Sequence, residues 1–143
     1  MTYTISKTFL GYPFAHRQPK HDGHCSLIHG HNWDFTIELS APEGQLDEND
    51  FVYDFGKFAW LKTWFTDMFD HTCVINATDP LIEKFTTMNS EGLINLKIVP
   101  SASAEGLAKL IYDHISKQDL GTDVTLVSVT VHEDYKNQAK YSI

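Results

Sequence analysis

The sequence predicts a mixed α+β domain, with strands at both ends of the chain and helices between them. Three patterns carry this prediction. Apolar and polar residues alternate from Trp33 to Leu39 and again through Val127, Val129 and Val131, the two-residue period of half-buried strands. Phe55, Phe58, Ala59, Leu61, Phe65 and Met68, and later Leu107, Ala108, Ile111 and Ile115, recur at the three- and four-residue spacing of amphipathic helices. No linker or internal repeat divides the 143 residues, so residues 1–143 read as one domain in the order two strands, two helices, two strands.

The first strand, from about Tyr3 to Phe9, sets Tyr, Ile, Lys and Phe against Thr and Ser. Gly11-Tyr12-Pro13 interrupts it, and a bulge or bend there lets the strand resume toward Phe14 and His16. The polar stretch from Arg17 to Ser26 connects it to the second strand, which runs through His29 to Leu39. Ala41-Pro42-Glu43-Gly44 and the acidic run from Asp47 to Asp50 are loop, without the glycine and terminal glutamate spacing of a calcium site. Asp54 is placed to cap the first helix, at whose end stand Asp70 and His71. From Asn76 to Pro100 turn residues accumulate, and Leu93 to Val99 has the length of a short extra strand. The second helix starts at Ser103, an N-cap with Glu105 in the first turn, and ends near Gly121. Val124 to Glu133 is a strand whose apolar odd-numbered face ends in Glu133; Ala139, Tyr141 and Ile143 mark the last strand.

A net charge of −8 excludes a general nucleic-acid or anionic-membrane surface, because phosphate backbones are held by excess Lys and Arg. The chain starts with no basic segment followed by an apolar run, and no apolar stretch has membrane-spanning length; the expected location is cytoplasmic. Its two cysteines are then free thiols. Cys25 stands among His21, His24 and His29, neighbours that favour a thiolate, whereas Cys73 reads as small apolar filling. An anionic substrate needs a local basic pocket. Arg17, the sole arginine, has a planar fork that suits phosphate and equally reads as an ordinary surface charge.

The densest chemistry lies between His16 and His31. Residues two apart on a strand share a face, so His29 and His31 present their imidazoles side by side, with Gly30 leaving room between them. Such a pair also arises by accident on a solvated strand, but here it extends the buried face of Trp33, Phe35, Ile37 and Leu39, where imidazoles need partners. If the first two strands pair antiparallel, His16 comes opposite the pair. Three histidines are the set by which zinc keeps its fourth position open for water or substrate, and Cys25 then hangs over the metal. Asp70 is placed to orient or charge His71. Glu133, a carboxylate on a buried face, calls for donors such as the amide and amino nitrogens of a pterin or guanine ring.

Ala15-His16-Arg17, the three residues separating Cys25 from His29-Gly30-His31, Asp54-Phe55, Asp70-His71, Ser103-Ala104-Glu105, the valine-rich strand ending at Glu133, and Tyr141 follow one another along nearly the whole chain. In these motifs the chain resembles the 6-pyruvoyl-tetrahydropterin synthase family, and more closely its bacterial 6-carboxy-tetrahydropterin synthase branch, for which the short Cys25–His29 gap speaks. The resemblance implies a tunnelling fold (T-fold): a four-stranded antiparallel sheet with two helices on one face, three subunits closing a barrel, and two rings stacking into a homohexamer. It implies Zn2+ on His16, His29 and His31, Cys25 as general base, Asp70 and His71 as its relay, and Glu133 as anchor of the pterin ring. Glu105 and Ser103 resemble a second pterin-contacting motif. The implied reaction turns 7,8-dihydroneopterin triphosphate into 6-carboxy-5,6,7,8-tetrahydropterin with loss of triphosphate and acetaldehyde, on the path to 7-deazaguanine and queuosine.

The alternatives are a 6-pyruvoyl-tetrahydropterin synthase serving biopterin synthesis and a non-catalytic zinc- or pterin-binding homologue. A zinc hydrolase of the His-Glu-x-x-His type lacks its motif here. Four features depart from the family pattern: Ala102-Ser103 for Pro-Thr, Gly106 for Asn, Asp134 for Thr, and a longer segment from Asn76 to Pro100.

Overall fold

The computed structural model describes residues 1–143. Strand β1 (Thr2–His16) and strand β2 (His29–Pro42) are followed by helix α1 (Ala59–Phe69), strand β3 (Thr72–Asn76), helix α2 (Ile82–Ser90) and strand β4 (Leu96–Val99). Helix α3 (Ala104–Ser116), strand β5 (Thr125–His132) and strand β6 (Gln138–Ser142) complete the chain. The α+β class holds, but the sheet has six strands in the order β4-β3-β1-β2-β5-β6 rather than four, and there are three helices rather than two. The expected antiparallel set β1, β2, β5, β6 is present; β3 and β4 extend it beyond β1 as parallel strands.

Strand β4 falls within the short extra strand expected at Leu93 to Val99, whereas β3 left little periodic signal. Thr72, Cys73, Val74 and Ile75 are all buried, because β3 is covered on both faces. Val74 joins the main core, while Cys73 and Ile75 point the other way and pack with Phe85 of α2. The continuous apolar run therefore lacks strand alternation. Helix α2 fully buries Phe85 alone, with Ile82 and Met88 partly buried beside it, a short stripe on an otherwise polar helix.

A bulge near Gly11 decides which side chains of β1 reach the core. Ile5, Lys7 and Phe9 pair with Leu39, Ile37 and Phe35, but beyond the register shift Tyr12, Phe14 and His16 pair with Trp33, His31 and His29. One extra residue thus moves the core face from odd to even positions and brings His16 onto the face of the histidine pair. Gly11 sits at φ 81°, in the left-handed region, and its N–H donates to Asp34 Oδ1 at 2.8 Å.

A second register shift corrects the reading of β5. Leu39 pairs with Leu126 and Ile37 with Val129, so Val127 is the extra residue and Leu126 takes its place in the core. The core face then runs through Val129 and Val131 toward Glu133. Before α1, Asp54 accepts from Gly56 N–H at 2.8 Å and caps a short 3-10 turn, leaving Phe55 half exposed. Phe58, Leu61, Phe65 and Phe69 fill the core instead, and Phe65 stacks on Phe35 with centroids 4.6 Å apart. Helix α3 buries Leu107, Ala108, Ile111 and Ile115 as its spacing predicts. No helix is long and apolar enough to cross a membrane.

Candidate active site

The ends of β1 and β2, the start of α3 and the turn after β5 meet at one cavity of about 210 Å³. His16 and His29 are cross-strand partners, His31 faces Phe14, and the three imidazole centroids lie 4.6, 5.1 and 5.4 Å apart. Trp33 closes the floor, edge-on to His16 and His31 and stacked on Phe14 at 4.4 Å. A one-residue slip in either strand would turn this face outward.

Hydrogen bonds aim the histidines. His16 Nδ1–H donates to Ala102 O at 2.7 Å, and His29 Nδ1–H donates to Leu27 O at 2.7 Å. A carbonyl can only accept, so each ring carries its proton on Nδ1 and turns the Nε2 lone pair away from that anchor. Burial holds His16 below its ordinary pKa, in the neutral form a metal requires. The Ala102 carbonyl is itself placed by Asn76, whose Oδ1 accepts from Ala102 N–H at 2.7 Å.

The residues fit a metal ion. His16 Nε2 and His31 Nε2 are buried without a hydrogen-bond partner, a costly state for ring nitrogens that a cation removes. Ligand atoms of His16, His29, His31 and Glu133 lie within 4.8 Å of one another. Glu133 Oε1 stands 3.5 Å from His16 Nε2 and 3.3 Å from His31 Nε2. These separations exceed the roughly 2.7–2.9 Å of a charge-assisted hydrogen bond. They match the edge of about 3.3–3.4 Å between ligands of a tetrahedral ion with bonds near 2.0–2.1 Å. Glu133, expected as a ring anchor, therefore also has a place among the donors.

Cys25 lines the same cavity, on a short 3-10 turn from His24 to Ser26. Ser103 and Glu105 line it from the start of α3, where Ser103 Oγ accepts from Gly106 N–H at 3.0 Å. The departure at Gly106 has a steric reason: a Cβ there would meet Ser101 Cβ at 2.4 Å. Asp134 shapes the turn behind Glu133, accepting from Lys136 and Asn137 N–H at 2.8 and 2.7 Å. Gln18, Asn137 and Gln138 also reach the cavity, and nothing in their sequence pattern marks them beyond nearness to Arg17 and Glu133.

Two expected site elements lie elsewhere. Arg17 points away from the cavity: its Nε and Nη2 donate to Asp79 at 2.8 and 2.7 Å, and Nη1 donates to Ser26 O at 3.1 Å. The fork that suits a phosphate is taken up by an internal carboxylate. Asp70 and His71 are bonded at 2.8 Å, but neither lines the cavity of their own chain, and the His71 side chain is 83% exposed.

The donor geometry sets an order of metal affinities. Replacing His16, His29 or His31 by Ala is expected to lose most bound metal under mild chelator competition. Glu133→Gln should weaken metal on the order of 10-fold and also weaken pterin binding. Chelator titration and pterin fluorescence check both effects. Full metal retention by the three histidine variants would remove the site.

The 6-pyruvoyl tetrahydropterin synthase family model matches residues 4–143. A protein from Halobacterium salinarum named as a probable 6-carboxy-5,6,7,8-tetrahydropterin synthase is 32% identical over 123 residues, covering 83% of this chain and 73% of that protein. A 6-carboxy-5,6,7,8-tetrahydropterin synthase from Rickettsia bellii is 30% identical over 95 residues, 65% of this chain and 67% of the other. Among solved structures, an uncharacterized protein from Wolinella succinogenes superposes with a TM-score of 0.87 at 20% identity, over 99% of this chain and 98% of that one. The 6-pyruvoyl tetrahydropterin synthase of Caenorhabditis elegans superposes at 0.66 and 19% identity, over 99% and 96%. Two like folds, a family match over nearly every residue and a cavity shared by His16, His29 and Cys25 lead to one assignment: the chain belongs to the 6-pyruvoyl tetrahydropterin synthase family.

Proposed function

We propose that the protein is a zinc-dependent lyase converting 7,8-dihydroneopterin triphosphate and water to 6-carboxy-5,6,7,8-tetrahydropterin, triphosphate and acetaldehyde, in the route to 7-deazaguanine and queuosine. The supporting observation is that Cys25 lines one cavity with His16, His29 and Glu133, three of the four residues whose ligand atoms converge. The names of the two curated relatives favour the 6-carboxy product over the 6-pyruvoyl one.

His16, His29 and His31 would hold the zinc, which when bound acidifies C–H bonds beside the side-chain hydroxyls it binds. Cys25 takes the proton at its Sγ and returns it to the neighbouring carbon. Glu133 accepts from the ring amide and amino groups with the oxygen turned away from the histidines, and Glu105 and Ser103 contact the ring from the start of α3. Asp70 and His71 serve as the relay for Cys25 of a neighbouring chain in a homohexamer. Support for that assembly comes from Leu27 and Ile28, large apolar side chains left 66% and 52% exposed on the Cys25 connection, and from an oriented but solvent-facing His71.

The reading is tested by incubating zinc-loaded protein with dihydroneopterin triphosphate and identifying the products. Acetaldehyde with 6-carboxy-tetrahydropterin supports it. The 6-pyruvoyl product would move the protein to biopterin chemistry, and substrate binding without turnover would make it a pterin-binding homologue.

A further inference from the structure

We infer that Arg17 and Asp79 form a buried clamp that positions Cys25 for catalysis, and that the segment following β3 is therefore part of the catalytic apparatus. The Asp79 side chain is fully buried and that of Arg17 is 13% exposed. The pair is bidentate, with both carboxylate oxygens engaged, and Asp79 Oδ1 also accepts from Leu81 N–H at 2.8 Å. Each partner strengthens the charged state of the other, holding the Asp79 carboxyl below and the Arg17 guanidinium above its usual range.

What the clamp holds is the connection carrying Cys25. Arg17 directly follows the ligand His16, and its Nη1 donates to Ser26 O at 3.1 Å. The next residue, Gln18, donates its backbone N–H to Cys25 O at 2.8 Å. The carbonyls of Cys25 and Ser26 are thus both gripped by the dipeptide that leaves the metal site, and Asp79 fixes the angle of that grip. The face of Phe85 lies 5.8 Å from the guanidinium and backs it from α2. Three residues earlier in the same segment, Asn76 sets Ala102, which sets His16. One turn of chain therefore orients both a metal ligand and the thiol.

A rigid hold matters because proton transfer from carbon falls steeply with misplacement; displacement by about 1 Å costs on the order of 10²-fold in rate. Surface loops without such anchors open readily. A lysine at Arg17 keeps the charge but cannot make two parallel bonds to Asp79 and a third to Ser26. Arg17 and Asp79 are positioning residues, since neither lines the cavity.

The inference rests on the reading of Cys25 as the base, and its test separates the two. Arg17→Lys, Asp79→Asn and the double variant Arg17→Met/Asp79→Leu are compared by hydrogen–deuterium exchange, metal content and steady-state kinetics with dihydroneopterin triphosphate. The double variant replaces a buried ion pair by apolar groups of similar volume, a change that commonly preserves folding. Expected is exchange of amides 18–28 faster by about 10-fold or more. Metal content should be unchanged, and kcat should fall by about 10²-fold with a much smaller change in KM. Unchanged exchange in the folded double variant would overturn the clamp, and faster exchange with parental kcat would overturn its positioning role. Full turnover by Cys25→Ala would instead defeat the base assignment, a result that loop exchange in the Arg17 and Asp79 variants does not affect.

Discussion

Cys25→Ala is expected to lose turnover by roughly 10²–10⁴-fold, the contribution of a positioned general base, while keeping metal content and pterin affinity. The separation follows from geometry. Cys25 shares the cavity with His16 and His29 but is absent from the group of four whose ligand atoms converge. Removing Sγ therefore takes nothing from the metal, and the 3-10 turn that carries it is held by backbone bonds, Gln18 N–H to Cys25 O and Leu27 N–H to His24 O. Serine is the informative second variant. Its hydroxyl fills nearly the same space but stays protonated near neutral pH, so Cys25→Ser should be almost as inactive as the alanine form. Single-turnover kinetics, equilibrium pterin binding and metal analysis on the same preparations decide it. Wild-type turnover in Cys25→Ala would leave the thiol as a bystander of the metal.

Much of this arrangement is legible in the sequence because it depends on local periods. The i, i+2 spacing of His29 and His31 on the continuation of the Trp33–Leu39 face fixes which way they point once that face is buried. The place of His16 needed one more signal, the glycine that allows a bulge; without that parity change His16 would face away from the pair. Long-range partners are another matter. Nothing near Arg17 announces Asp79, sixty-two positions later, because a carboxylate beside a proline reads as an ordinary turn. The sequence reading thus left Arg17 open as a phosphate ligand.

The sheet illustrates the same limit. Strands β1 and β2 keep one less buried face and β5 sets Ser128 and Thr130 against its valines, so all three alternate and are found; β3, covered on both faces, does not alternate and is missed. Helix α2 is nine residues long and turns only Ile82, Phe85 and Met88 toward Cys73 and Ile75, a stripe too short to stand out among the turn residues around it. Glu133 was visible as the end of an apolar face, yet its approach to two Nε2 atoms depends on the turn held by Asp134 and by Glu133 N–H to Asn137 O.

Mixing two inactive variants, Cys25→Ala and His71→Ala, is expected to restore activity if both enter the same oligomers. His71 holds a left-handed backbone at φ 58°, fixed by its N–H to Pro13 O at 2.8 Å, and its ring is bonded to Asp70. A residue with a Cβ held there costs about 1–2 kcal/mol, so an exposed, oriented dyad is sustained at some expense to the fold. Within its own chain the dyad does not line the cavity that Cys25 lines. In the proposed ring each cavity is expected to face a neighbour's surface, and a site built from Cys25 of one chain and His71 of the next is then whole when the two come from different variants. Random assortment at equal ratio makes about a quarter of the sites whole. Co-expression with two tags, purification through both, and light scattering establish the mixed oligomer before activity is measured. Mixed oligomers without recovered turnover would place the dyad outside the reaction or within its own chain, and an active monomer would do away with the shared site altogether.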